Sequence, residues 1–208
     1  MKHEIEVKEA LIENTIALSA KGGFEAATTR AITTGGVLPC GAKLNEVYIY
    51  RLFGSKENLY ASVFAKLDEE VFDNFKKIYV VVNAIDLPLR EKIMIFLERA
   101  WQFLLQNEPK FRCYVRCYYS VYFTAPAFEA HRKLFSSIVN SMSSAFKEEA
   151  DVLAILHIAF STLLNFAISV YNGELADDDA NRPHIFNVVY CTMATYFKDA
   201  PSLFGVDK

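Results

Sequence analysis

The 208-residue sequence has little that would stitch it together, bind a metal or coat a polyanion. It has four cysteines, one tryptophan, eight glycines and six prolines. The cysteines are Cys40, Cys113, Cys117 and Cys191, with no C-x-x-C pair facing a second pair, so no zinc framework is present. Cys113 and Cys117 stand one helical turn apart, a spacing that can hold a metal. No histidine follows at helical spacing, and reduced thiols acting as small hydrophobes are the simpler reading. Charge of either sign is not in excess: 22 Lys/Arg against 25 Asp/Glu give a net charge of −3. A uniformly basic nucleic-acid coat is thereby excluded, although residues 1–66 carry 8 basic against 7 acidic residues and the remainder 14 against 18. No uninterrupted apolar run approaches the roughly 18 residues of a membrane span. The first nine residues are charged and acidic, unlike a secretory leader. The expectation is a cytoplasmic protein with no membrane partner. The sequence also lacks a Gly-rich phosphate loop, a G-x-S-x-G elbow and clustered metal-ligand spacing. No enzyme, cofactor, catalytic residue or metal site is therefore expected.

What the sequence does have is apolar residues, 52% of the total, spaced for helices throughout. An all-α fold follows. A first helix is expected from Glu4 to Lys21, with Leu11, Ile12, Ile16 and Leu18 on its apolar stripe and Gly22-Gly23 ending it. Thr28 is the N-cap of a short second helix. Three glycines and a proline between Gly35 and Gly41 make a loop. A third short helix spans Asn45 to Leu52, and Ser55 caps a long fourth one running to about Val80. Pro88, Pro109 and Pro126 each open a further helix, because proline suits the first turn. Two long amphipathic helices end the chain. One carries Val152, Ile155, Ala159, Leu163, Phe166 and Val170. The other carries Ile185, Val188, Val189, Thr192 and Tyr196. Between them Asp177-Asp178-Asp179 reads as a solvated helix start, with an acidic metal site as the alternative. The chain divides into a small helical head, residues 1–66, and a larger helical body, residues 67–208.

Three short helices followed by a long one are the pattern of a helix-turn-helix, although an ordinary three-helix bundle has the same outline. The residues discriminate between the two. Ile12, Leu18, Gly23 and Phe24 fit a first motif; Thr28, Thr29, Arg30 and Ile32 fit a second. The run Leu44-Asn45-Glu46-Val47-Tyr48-Ile49-Tyr50-Arg51-Leu52-Phe53-Gly54-Ser55-Lys56-Glu57-Asn58-Leu59 fits a third almost continuously. Together they resemble the DNA-binding head of the TetR family of transcriptional regulators. The match covers about a quarter of the chain and is densest at Y-x-x-F-x-S-K-E-x-L. The resemblance implies an N-terminal three-helix helix-turn-helix domain plus a larger helical ligand-binding and dimerisation domain.

Side-chain chemistry agrees with that role. Ile49 and Phe53 lie four apart and anchor the third helix, leaving Glu46, Tyr48, Tyr50 and Arg51 at or near its outer face. A helix of this size enters the major groove with its early residues at the base edges. Tyr48 and Tyr50 can reach phosphates or thymine methyls, Arg51 a phosphate or guanine. Lys56, at the start of the fourth helix, and Thr28, Thr29 and Arg30, at the start of the second, offer phosphate contacts. The family uses positions matching Thr29, Tyr48, Tyr50 and Lys56 in this way. Alternatives stand beside these roles: Tyr50 as packing against the first helix, Asn45 as an N-cap rather than a base reader, and Glu46 as either a cytosine acceptor or a source of phosphate repulsion. Two departures from the family pattern matter. Thr15 and Ser19 replace the usual Ala and Phe of the first helix and should loosen the small core. Extra residues between Ile32 and Leu44 lengthen the turn before the recognition helix.

The body is rich in aromatics from Trp101 to Phe135. An apolar pocket is expected there for a hydrophobic or aromatic effector, with Trp101, Tyr114, Cys117, Tyr118, His131 and Phe160 as lining candidates and His157 as a further ligand-orienting one. Most of these aromatics would serve equally as plain core. The two C-terminal helices are expected to pair with the same helices of a second copy, giving a homodimer on a double-stranded DNA operator. The alternative is a helical ligand-binding or signalling dimer that no longer binds DNA. Effector identity, operator sequence, and repression versus activation are not legible.

Overall fold

The periodicities become nine α-helices among the described residues. The computed structural model describes residues 2–34, 43–123 and 125–198. The helices are α1 (Lys2–Ala26), α2 (Thr29–Thr33), α3 (Glu46–Phe53), α4 (Lys56–Asn83), α5 (Leu89–Gln106), α6 (Glu108–Tyr118), α7 (Ala125–Met142), α8 (Val152–Tyr171) and α9 (Asn181–Ala194). Among these residues the only extended pairing with a described partner is an isolated antiparallel bridge, Phe146 to Phe197. The all-α expectation is met. The loop expected from Gly35 to Gly41 lies outside the described residues.

Local chemistry sets most boundaries. Gly23 takes φ 76° and breaks the helical geometry of α1, a conformation that costs a residue with Cβ. Thr28 caps α2, its hydroxyl accepting from Ala31 N–H at 3.1 Å. Ser55 Oγ accepts from Asn58 N–H at 3.1 Å and starts α4. Asn45 occupies the N-cap position of α3 but makes no side-chain cap, so the capping role expected of it is positional only. The α8 helix ends at Asn172, followed by Gly173 at φ 73°. Asp178, from the acidic triplet, accepts from Asn181 N–H at 2.8 Å and starts α9.

The chain forms two compact units, Met1–Val71 with Asn107–His131, and Phe72–Gln106 with Arg132–Lys208. This differs from a division at residue 66, because α6 packs on α1 and so joins the N-terminal helices. In the first unit α1 packs on α2, α3 and α6. Leu11, Ile12, Ile16, Ile32, Ile49 and Phe53 are buried there, each such side chain contributing about 1.5–3 kcal/mol. Leu11, Ile12 and Ile16 of the expected α1 stripe are buried, Leu18 is half-buried, and Thr15 and Ser19 are fully buried. Thr15 Oγ1 satisfies itself on Leu11 O at 2.7 Å. Ser19 Oγ is buried with no partner among the described residues. The Arg116 guanidinium on α6 donates to the Ser19 carbonyl.

The second unit packs α5, α8 and α9 on one another. Ile93, Leu97, Ala100 and Leu104 of α5, Ile155, Ala159 and Leu163 of α8, and Ile185 and Val189 of α9 form its core. Tyr171 donates to Leu104 O at 2.6 Å and ties the end of α8 to α5. By length and composition α8 could cross a membrane, with mean hydropathy 1.9, although it holds no uninterrupted apolar run of that length. His157, Ser161, Thr162 and Asn165 interrupt that run, and the buried face of α8 packs on α5 and α9.

Candidate nucleic-acid interface and ligand groove

The outward face of the first unit is built on buried anchors. Ile49 and Phe53 hold α3 against α1, and Asn14 on α1 donates to Ile32 O at 2.9 Å, fixing the end of α2. With these anchors inside, Glu46, Val47, Tyr50 and Arg51 stand exposed on α3, and Tyr48 is half-buried. Tyr50 is 55% exposed, so it is not packing α3 onto α1.

These side chains are connected to one another and to α1. Thr29 Oγ1 donates to Glu46 Oε2 at 2.5 Å, joining the first turn of α2 to the first turn of α3. Arg51 pairs with Glu4 at 3.5 Å and lies 5.1 Å from the Tyr48 ring centre. The His3 ring meets Tyr48 edge-on at 6.4 Å. Lys56 Nζ lies 5.2 Å from the ring centre of Tyr60, whose hydroxyl donates to Ala27 O at 2.8 Å. Burial pushes the Tyr60 phenol well above its ordinary value, so it remains a donor. At the start of α4 the Glu57 carboxyl is held below its usual value by backbone N–H bonding and by the Ser55 hydroxyl. That carboxylate competes for donors expected to be open to a phosphate. Thr28 and Arg30 are exposed, the first spending its hydroxyl on the α2 cap.

The six residues expected to line one effector pocket fall in two places. Tyr114, Cys117, Tyr118 and His131 belong to the first unit, Trp101 and Phe160 to the second. In the first unit the organising group is Asp68, which the sequence reading passed over. It is 1% exposed, and its Oδ1 accepts from Tyr114 OH at 2.9 Å and lies 2.9 Å from His131 Nδ1. Phe64 stacks on Tyr114 at 5.2 Å, and Tyr118 meets His131 edge-on at 5.6 Å. Burial, and then the Asp68 charge, push the Tyr114 phenol well up. The Cys117 thiol is pushed far up by its hydrogen bond with Cys113 and by burial. A clue was present: Asp68 sits between Phe64, Leu67 and Val71 on the buried stripe of α4, where a carboxylate must find donors.

In the second unit Trp101 is 1% exposed and Phe160 packs edge-on against Phe75 at 5.6 Å. Trp101 Nε1 donates to Asp177 Oδ1 at 2.9 Å, and Arg182 grips the same carboxylate from Nε at 2.7 Å and NH2 at 2.9 Å. The His157 ring lies 5.7 Å from Phe135. Beside the Trp101 cluster an open groove of roughly 780 Å³ runs between α5 and α9. Met94, Ile95, Pro183 and Phe186 supply its apolar surface, Arg90, Arg99 and Arg182 its positive charge, and Glu98 and Asp179 its negative charge. Apart from Asp179, none of these was singled out from sequence. The signal lay in Arg90, Met94 and Gln102 recurring on one face of α5. Among the described residues no group of three or more His, Cys, Asp or Glu is placed to hold a metal ion.

No family model and no curated protein matches the chain. Solved structures do. A TetR family transcription regulator from Marinobacter aquaeolei VT8 is similar over 92% of this chain and 97% of its own, at 16% identity and a TM-score of 0.69. A candidate tetR family transcription regulator from Shewanella sp. PV-4 is similar over 89% of this chain and 96% of its own, at 16% identity and a TM-score of 0.68. The fatty acid degradation regulator FadR from Bacillus halodurans is similar over 87% and 96% respectively, at 16% identity and a TM-score of 0.60. At such identities the fold is what is shared. The helices of this chain have the fold of TetR-family regulators.

Proposed function

We propose that the chain is a DNA-binding transcriptional regulator, acting as a repressor whose operator affinity is set by a small hydrophobic or aromatic effector. The observation that carries this reading is the α3 face: Glu46, Val47, Tyr50 and Arg51 stand exposed on a helix whose opposite side is locked by Ile49 and Phe53. A helix of eight residues so mounted fits the major groove, with Thr28, Thr29, Arg30, Asn45, Tyr48 and Lys56 around it for backbone contacts. The similarity to solved transcription regulators supports the same conclusion.

The test is a fluorescence-anisotropy titration of the full chain with duplexes from its own upstream region at several salt concentrations. The expected result is salt-sensitive binding, with Lys56→Ala lowering the salt slope by about one. Absence of salt-sensitive binding to every duplex overturns the reading. It would favour a helical ligand-binding dimer without DNA recognition, a second reading supported by the acidic Glu46 and by the engagement of Arg51 with Glu4.

The effector is assigned to the second unit. Its groove has the volume of small-molecule sites, and Phe186 on its wall meets Trp101 at 6.1 Å. The single tryptophan of the chain therefore reports on the groove. Saturable changes in its fluorescence on titration with aromatic or long-chain acyl compounds are expected, with operator affinity changing reciprocally. Dimerisation through α8 and α9 is supported by Leu153, 37% exposed, and Ile158, 53% exposed, on the outer face of α8. Sedimentation of Ile158→Glu as a smaller species than the parent is expected. The α8 helix is read as a packing helix of a cytoplasmic protein, and no catalytic role is proposed.

A further inference from the structure

The α3 face carries a specific choice of base contacts. Val47 is 69% exposed, the largest value among the exposed side chains of this helix that are apolar, and takes no part in holding α3 to α1. Glu46, beside it, accepts one hydrogen bond, from Thr29, on Oε2. Its Oε1 makes no hydrogen bond among the described residues. Arg51, the cation of the helix, is drawn back onto Glu4 and the Tyr48 ring.

On these grounds, and resting on the DNA-binding reading above, we propose that Glu46 is the residue that determines base specificity, accepting from the N4 amine of a cytosine, while Val47 meets the methyl of a neighbouring thymine. Arg51 does not read guanine. An ionised carboxylate only accepts hydrogen bonds. In the major groove the available donors are cytosine N4 and adenine N6, and adenine places the acceptor N7 beside its amine, which repels a carboxylate. Cytosine has no such neighbour on the same base. The bond from Thr29 holds the Glu46 rotamer, so less side-chain entropy is lost on docking. Val47 has no hydrogen-bonding group and contributes only where a methyl is offered.

The experiment selects duplexes from a random library with the full-length chain, sequences them, and measures affinity for the enriched sequence and its single-base variants. The parent is expected to enrich a cytosine whose replacement weakens binding about tenfold. Glu46→Ala is expected to lose the preference at that position alone, and Glu46→Gln to move it toward adenine, which Gln contacts through N6 and N7. Arg51→Ala is expected to weaken binding to all duplexes alike and to leave the base preferences in place. Circular dichroism confirms that each variant is folded, since Glu46 is exposed. An enriched sequence without the cytosine, the same preference retained in Glu46→Ala, or a guanine lost in Arg51→Ala would overturn the inference while leaving DNA binding intact. Enrichment of no sequence by the parent overturns the DNA-binding reading and this inference with it.

Discussion

Each compact unit has an aspartate that takes hydrogen bonds from two other side chains, and the two differ mainly in access to water. Asp68 of the first unit is 1% exposed and is approached by Tyr114 and His131 within 2.9 Å. Asp177 of the second unit has a side chain 22% exposed and serves Trp101 and Arg182. Water at the second site can replace a lost partner; at the first it cannot. The same carboxylate chemistry therefore carries different weight. A buried acceptor is valued by the donors that it would strand, a partly exposed one by little more than its net bonds.

The comparison breaks most readily at Asp68. Asp68→Ala removes the interior carboxylate bonded to the Tyr114 hydroxyl and the His131 ring, at about 1–3 kcal/mol for each bond lost. A loss of about 3 kcal/mol in urea unfolding is expected. A loss under about 1 kcal/mol would mean that water reaches the site. Asp177→Ala should cost less, about 1–2 kcal/mol, most of it from the buried Trp101 N–H losing its acceptor and little from the screened ion pair. Its contribution also has a pH signature. The Arg182 hydrogen bonds, and after them the Trp101 bond, hold the Asp177 carboxyl below its ordinary value, against a smaller opposing effect of burial. A depressed folded-state value means that the stabilisation is present above the unfolded-state value near 3.8 and is lost as pH falls through the folded-state value. The stability gap between parent and Asp177→Asn should thus be constant from pH 7 to 5 and close below pH 4. A gap that persists at the lowest pH would contradict that assignment.

A smaller effect of opposite sign is expected at Ser19. Its hydroxyl is buried without a partner among the described residues, so Ser19→Ala should raise stability by about 1 kcal/mol. Thr15, equally buried but bonded to Leu11 O, should show no such gain when changed to Val. The smallest effect concerns reactivity alone. Cys113 and Cys117 are buried and Cys191 is exposed. In a Cys40→Ser background one thiol should react with a disulfide reagent in native buffer and three in denaturant. Rapid reaction of a second native thiol would show that α6 opens.

Helix existence was legible because its causes are local. Thr28, Ser55, Pro88, Pro109 and Pro126 act within a turn of their own position. The α3 face was legible for the same reason: once Ile49 and Phe53 point inward, the 3.6-residue period places Glu46, Tyr50 and Arg51 outside. What escaped involved partners far along the chain. Tyr114, Cys117, Tyr118, His131 and Trp101 belong to one aromatic-rich stretch and, with Phe160, were expected to line one pocket, whereas Trp101 and Phe160 belong to the second unit and the others to the first. Aromatic content reports burial, not which helices meet. That α6 falls in the same compact unit as α1 was not legible either, because packing on α1 is invisible to composition. On α1 the apolar pattern pointed to Leu18, whereas the packed helix buries Thr15 and Ser19, core positions that the family resemblance indicated and the apolar pattern did not.

The order of helices, their caps and the exposed row on α3 follow from the amino-acid sequence alone, since each depends on contacts within a few residues. Which polar groups far apart in the sequence meet was decided by tertiary structure. Asp68 with Tyr114 and His131, Thr29 with Glu46, and Asp177 with Trp101 are separated by 46 and 63, 17, and 76 residues respectively. Packing of the apolar faces brings such groups within 3 Å. At Asp68, where water is excluded, the carboxylate can be satisfied only by the donors that the fold delivers to it.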